Sequence, residues 1–124
     1  MSTLKLDTLS NKAGTASVPS DTIVSGTAKA WVNFNGTGTV AIRRAFNVSS
    51  ITDNGTGSYT VNLTNAMPDA DYSCFGTAGD FSGGIITVPW RALAAPTTTS
   101  FHVASLSYTG TYRDEGQISV AIFR

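Results

Sequence analysis

Asn54-Gly55-Thr56-Gly57-Ser58-Tyr59-Thr60-Val61-Asn62-Leu63 decides the fold class. Tyr59, Val61 and Leu63 alternate with Ser58, Thr60 and Asn62. Successive side chains of a strand point to opposite faces, so this period of two marks a half-buried antiparallel strand. The Asn-Gly pair ahead of it tolerates the positive φ angles of a tight hairpin turn. The same tetrapeptide, Asn-Gly-Thr-Gly, stands at Asn35, directly after Ala28, Ala30, Val32 and Phe34 have alternated with Lys29, Trp31 and Asn33. The two copies predict two successive hairpin turns in a meander.

Between the two turns Val40, Ile42, Phe46 and Val48 continue one face, interrupted by Arg44. Downstream, Tyr72 to Ala78, Ile85 to Trp90, Phe101 to Tyr108 and Ile118 to Phe123 read as strands. Met67-Pro68-Asp69, Asp80 to Gly84, Ala94 to Thr97 and Gly110 to Gly116 read as connections. Pro89 sends the end of its strand to an edge or out of the sheet. About eight short strands at this spacing predict an all-β chain, a small antiparallel β-sandwich of jelly-roll-like or Ig-like form, over residues 28–124. Residues 1–27 carry only thinly spread apolar side chains. They are expected to form an extended N-terminal arm that docks elsewhere through Leu4, Leu6 and Leu9.

Composition narrows the function. The chain has 124 residues, 13% of them charged, with eight Lys and Arg against eight Asp and Glu. Without a basic excess there is no charge to displace counterions from phosphates, which argues against a nucleic-acid partner. Thr, Ser, Gly and Asn dominate instead, a palette poor in helix formers and rich in turn residues. No apolar run is long enough to cross a membrane as a helix. Met1 to Ser20 lacks a secretory core, so synthesis and folding in a cytoplasm without export are expected.

Catalytic chemistry is scarce. His102 is the sole histidine and reads as a surface or interface residue of its strand. Cys74 is the sole cysteine, expected to pack between Tyr72 and Phe75, so neither a disulfide nor a zinc site is predicted. Asp69 and Asp71 share a connection that suits turn chemistry better than a cation. A glycosidase needs two carboxyl groups about 5 to 9.5 Å apart. Asp80 with Asp114 or Glu115 is the one pairing across loops to consider, and the expectation is that the chain is not an enzyme and takes no cofactor or metal. The sequons at Asn35, Asn47, Asn54 and Asn62 follow from composition and are read as unglycosylated.

Two stretches carry a resemblance. Ser2-Thr3-Leu4-Lys5-Leu6-Asp7-Thr8-Leu9 and the run from Ala28 to Asp71 resemble segments of small virion proteins of bacteriophages, many marine or cyanobacterial, of the tail-fibre or structural type. The most specific parts are Lys29 to Gly38 and Ser49 to Gly57. The resemblance implies a non-enzymatic, multimeric virion component, a homotrimer, assembled in the host cytoplasm and located in the virion. On this footing Leu4, Leu6 and Leu9 would dock on other virion proteins of the tail or capsid. Asp80, Phe81, Trp90, Tyr112 and Arg113 would contact a host surface glycan or protein from the loops at Asp80 to Gly84 and Thr109 to Gly116. Arg43, Arg44 and Trp31 would lie at the oligomer interface. The alternative is a capsid decoration or head-fibre protein that staples capsid subunits, which a chain too short for a fibre shaft would suit.

Overall fold

The structure, a computed structural model, describes residues 1–79, 85–87 and 94–124, with backbone alone for 85–87. It is a sandwich of two four-stranded antiparallel sheets. One sheet runs β4 (Ala41–Phe46), β3 (Ala30–Asn35), β10 (Ile118–Phe123), β7 (Ser73–Ala78). The other runs β5 (Val48–Asp53), β6 (Ser58–Leu63), β9 (Ser100–Leu106), β8 (Ile85–Thr87). Eight strands in two sheets of four match the layout of jelly rolls more nearly than the seven of an Ig constant-type domain.

The alternation seen in the sequence sets the core. Val32 and Phe34 of β3, Tyr59 and Val61 of β6, Val103 of β9, and Ile118, Val120 and Ile122 of β10 are buried between the sheets. Phe34 and Tyr59 meet edge-to-face across the gap with ring centroids 5.2 Å apart. That geometry sets the positive ring edge against the negative face of its partner.

Both Asn-Gly-Thr-Gly copies are hairpin turns, joining β3 to β4 and β5 to β6. They do not belong to one meander. The stretch from Val40 to Val48, which alternation alone reads as one face, divides at Asn47, and β4 and β5 lie in different sheets. Asn47 is the one described non-glycine residue at positive φ, 54°. Asparagine tolerates that conformation better than other non-glycine residues because its short side chain bonds locally. Here its amide donates to the Lys29 and Asn65 carbonyls at 3.1 and 3.3 Å, and its Oδ1 accepts the Asn65 N–H at 2.8 Å. The corner therefore ties the start of β3 to the connection after β6.

Residues 1–27 differ from a plain extended arm. β1 (Thr8–Ser10) and β2 (Ser17–Pro19) form a two-stranded hairpin, closed by Asn11 Oδ1 accepting the Thr15 and Ala16 N–H groups. A seven-residue helix, α1 (Ser20–Gly26), follows. None of these residues joins the buried core, which begins at Ala30.

The two ends of the sandwich are distinct. One holds both hairpin turns, the end of β7 and the long β9–β10 connection. The other holds the start of β3, the Asn47 corner, the β6–β7 connection and the C-terminus, where Arg124 pairs with Asp69. At the first end Gly57, φ 63°, lies so close to the β9–β10 connection that a Cβ there would collide with the Ser105 carbonyl oxygen and sit 2.5 Å from the Arg113 nitrogen. Gly38, φ 61°, holds the same place in the other turn but faces open space. Gly38→Ala should therefore destabilise by only about 1 kcal/mol, the strain of the left-handed backbone. Gly57→Ala adds a backbone collision and should exceed about 2 kcal/mol. Urea unfolding of the two variants measures the difference.

Candidate functional site

Two surfaces stand out, the loop end and the outer face of the β4-β3-β10-β7 sheet. The loop end is organised by the Tyr59 hydroxyl. It donates toward Asp114 Oδ1 at 2.8 Å, with the Gly36 carbonyl also at 3.0 Å, and Asp114 Oδ1 accepts the Gly57 N–H at 2.7 Å. One glycine from each Asn-Gly-Thr-Gly turn thus meets the β9–β10 connection at a single buried phenol. Burial, then the hydrogen bond and negative charge of Asp114, with the charges of Asp53 and Glu115 behind them, push the Tyr59 pKa well above its ordinary value of 10.0.

Beside this node the Glu115 side chain is fully buried, and its oxygens accept no hydrogen bond among the described residues. Its cation is Arg113, with Nε 3.4 Å from Oε1. Arg113, expected as a host-contacting anchor, therefore also neutralises a buried carboxylate. Tyr112 is 40% exposed and its backbone bridges Leu106. Among the described residues the most exposed ring of this end is Tyr108, at 82%. Asp80, Phe81 and Trp90 lie outside the described residues; β7 ends at this end, where the Gly79 N–H donates to the Gln117 carbonyl.

The outer sheet face is built by register. Phe46, Trp31, Ala121 and Phe75 stand in one row across all four strands. Phe123 meets Phe75 edge-to-face at 5.9 Å. The next row is Arg44, Asn33, Ser119 and Thr77, with Asn33 donating to Ser119 Oγ at 2.8 Å. Trp31 and Phe75 flank an open groove of about 540 Å³ floored by Ala121.

Of the residues expected at an oligomer interface, Trp31 lies in the apolar row and Arg44 at the edge of the polar row. Arg43 sits at a β-bulge and donates to the Gly116 carbonyl at 2.6 Å, within its own chain. Neither arginine turns into the core. Sequence reading missed the parts played by Phe46 and Phe75. The available signal for Phe75 was an aromatic residue at an odd position of a strand whose even positions, Cys74, Gly76 and Ala78, turn inward; β4 buries none of its residues, so Phe46 had no such signal. In residues 1–27, Leu4, Leu6 and Leu9 are 83, 41 and 53% exposed.

The groups with chemical potential are engaged in structure. His102 is buried rather than on the surface, its Nε2 2.8 Å from Thr60 Oγ1, which in turn accepts from the Asn54 amide. Burial pushes the Cys74 thiol up to about 12, far from a reactive thiolate at neutral pH. The Asp69 carboxylate is held below its ordinary range by Arg124 and by the Asp71 N–H, which is turn chemistry. Asp114 and Glu115, the loop carboxylates weighed for glycoside cleavage, hold the Tyr59 node and a buried ion pair. Among the described residues no group of three or more His, Cys, Asp and Glu is placed to hold a metal ion. The Asn35, Asn47, Asn54 and Asn62 amides of the sequons all donate internal hydrogen bonds.

Compared with known proteins, the chain matches no family model, no curated relative and no solved structure. Function is therefore argued from these surfaces.

Two measurements test the loop end. Arg113→Ala leaves the Glu115 carboxylate buried without its cation and should destabilise by about 1–3 kcal/mol, because Arg113 is itself partly solvated. Adding Glu115→Gln should recover part of the loss in thermal melts. The second is alkaline unfolding. Folded Tyr59 keeps a proton that the unfolded chain releases near pH 10, so its contribution is complete below pH 10 and declines as pH rises further. Tyr72, raised to about 12 chiefly by burial, acts in the same direction. Stability should fall by up to about 1.4 kcal/mol per pH unit from Tyr59 alone, and Tyr59→Phe should flatten the profile.

Proposed function

We propose that this chain is a structural protein of a bacteriophage particle, tail-fibre-like and homotrimeric. Residues 1–27 anchor it to other virion proteins, and the loop end presents Tyr108 and Tyr112 to the host surface. The observation that carries this reading is the N-terminal segment. Leu4, Leu6 and Leu9, with Val24 of α1 at 62% exposure, are apolar side chains that the chain's own core does not cover. Apolar residues gathered outside the core in this way gain stability only by burial against a partner.

Three further features support it. The resemblance at Ser2 to Leu9 and Ala28 to Asp71 points to virion proteins. Asp53, Asp69, Asp114 and Glu115, with His102 and Cys74, are engaged in turns, ion pairs or the interior. The anchoring segment enters the sandwich at the end opposite the loops, which suits a module held at one end and reading a surface with the other.

Because the core begins at Ala30, deleting residues 1–27 should leave the sandwich folded by circular dichroism while abolishing incorporation into phage particles. Incorporation at the unaltered level would overturn the reading. The copy number in purified particles separates the tail from the capsid. A number on the scale of capsid subunits would move the assignment to a decoration protein stapling the capsid; a number on the scale of tail fibres would keep it. At the loop end, Tyr108→Ala should reduce host adsorption several-fold without lowering the melting temperature, and Arg113 is left intact because it neutralises Glu115.

A further inference from the structure

The even positions of β3 and β10 fill the core, with Val32, Phe34, Ile118, Val120 and Ile122 buried. The odd positions need only face water, yet they hold Trp31, Ala121 and Phe123. The edge strands add Phe46 and Phe75 to the same side. We infer that the outer face of the β4-β3-β10-β7 sheet is the surface through which copies of this chain associate, the apolar rows of the copies meeting around their common axis. This rests on the reading of the chain as a homo-oligomer and names the surface through which its copies meet.

Size is the first argument. Trp31, Phe46 and Phe75 are 40, 55 and 62% exposed. An aromatic side chain can bury about 150–250 Å², so these three keep roughly 300 Å² of apolar surface uncovered. A contiguous patch of that size is on the scale of the largest apolar patch of an ordinary monomer, about 300–600 Å², which is often functional. Four strands about 4.8 Å apart, with six residues rising about 3.4 Å each, make a face of about 19 by 20 Å. That is roughly 380 Å² in projection, about half of the ~800 Å² each partner gives to a standard interface, with the aromatic row as its apolar centre, which places it among the small interfaces.

Charge is the second argument, and it selects the partner. The face carries one charged side chain in its two central rows, Arg44, and that residue lies on the edge strand. Formal net charge of the chain is zero, so two copies approach without mutual repulsion. The polar row of Asn33, Ser119 and Thr77 carries both donors and acceptors, so it can pair with itself. Faces of identical copies that meet at a common axis must avoid like charges at its centre, and this one does. A sugar would need amide or carboxylate groups aimed outward, but the Asn33 amide is already used on Ser119. Among the described residues Arg44 is the one basic side chain in these two rows, too little charge to favour a nucleic acid or an anionic membrane.

The test is the mass of purified full-length protein by light scattering. The parent chain should run at a multiple of 12.9 kDa. Trp31→Glu with Phe75→Glu should fall to the single-chain mass with its β-type circular dichroism intact. Thr52→Arg, on the exposed outer side of the other sheet, should keep the parent mass. If the double variant does not fold, Phe75→Ser alters only an exposed edge-strand ring and should weaken association at least about tenfold by sedimentation equilibrium. A parent chain at 12.9 kDa at its highest soluble concentration would overturn the inference and leave the face to another protein. So would an oligomer whose association Phe75→Ser leaves unchanged, and that result would leave the anchored virion reading standing. Conversely, incorporation without residues 1–27 would remove the virion reading without touching the mass measurements.

Discussion

A single buried hydroxyl organises the working end of this sandwich. Tyr59 comes from the centre of β6, packs its ring on Phe34 of the opposite sheet, and places its oxygen where two hairpin turns and the β9–β10 connection converge. Because the phenol is shut off from water, its hydroxyl must find its partners inside the protein. That requirement explains the unusual local chemistry. Gly36 and Gly57 are small because the phenol and the connection press against them. Asp114 has no freedom because it accepts from both the phenol and a turn. The repeated tetrapeptide is thus two contributions to one joint, although its copies sit in different sheets.

Much of this was legible in the sequence. The period of two in β3, β6 and β10 gave the strands, their core faces and the fold class. The Asn-Gly pairs gave the hairpin turns. The passage between sheets was not legible, because alternation runs on through Val40 to Val48 and only a left-handed Asn47 interrupts it. An asparagine in a sequence rich in asparagine carries no mark of that role. The hairpin and helix of residues 1–27 were hidden for a similar reason, since few apolar residues there report a periodicity. Arg113 looked like an exposed anchor because its partner Glu115, two residues on, reads in sequence as an ordinary loop acid. The outer-face row was partly visible, with Trp31 singled out. The assembly of all four strands into one row required the register.

The scarcity of charge has a common explanation across the molecule. The Thr, Ser and Asn side chains take over the polar work within the protein, closing turns and pairing across strands, as in the Asn54–Thr60–His102 chain and the Asn62 bonds to Ser50 and Thr52. Such side chains can be buried between copies at far lower desolvation cost than Lys or Glu. A surface made this way suits lasting assembly better than a soluble life alone.

The first and last strands of the sandwich, β3 and β10, are neighbours in the middle of one sheet and run antiparallel, with Ile122 opposite Ala30. Entry to and exit from the domain are therefore side by side, and the β9–β10 connection lies a full strand length away. This makes the domain a natural insert and a natural display platform. It could be spliced into a longer polypeptide through a single junction without stretching its host. A foreign peptide grafted at the exposed turn around Thr109 and Gly110 would project away from that junction, leaving the core strands undisturbed.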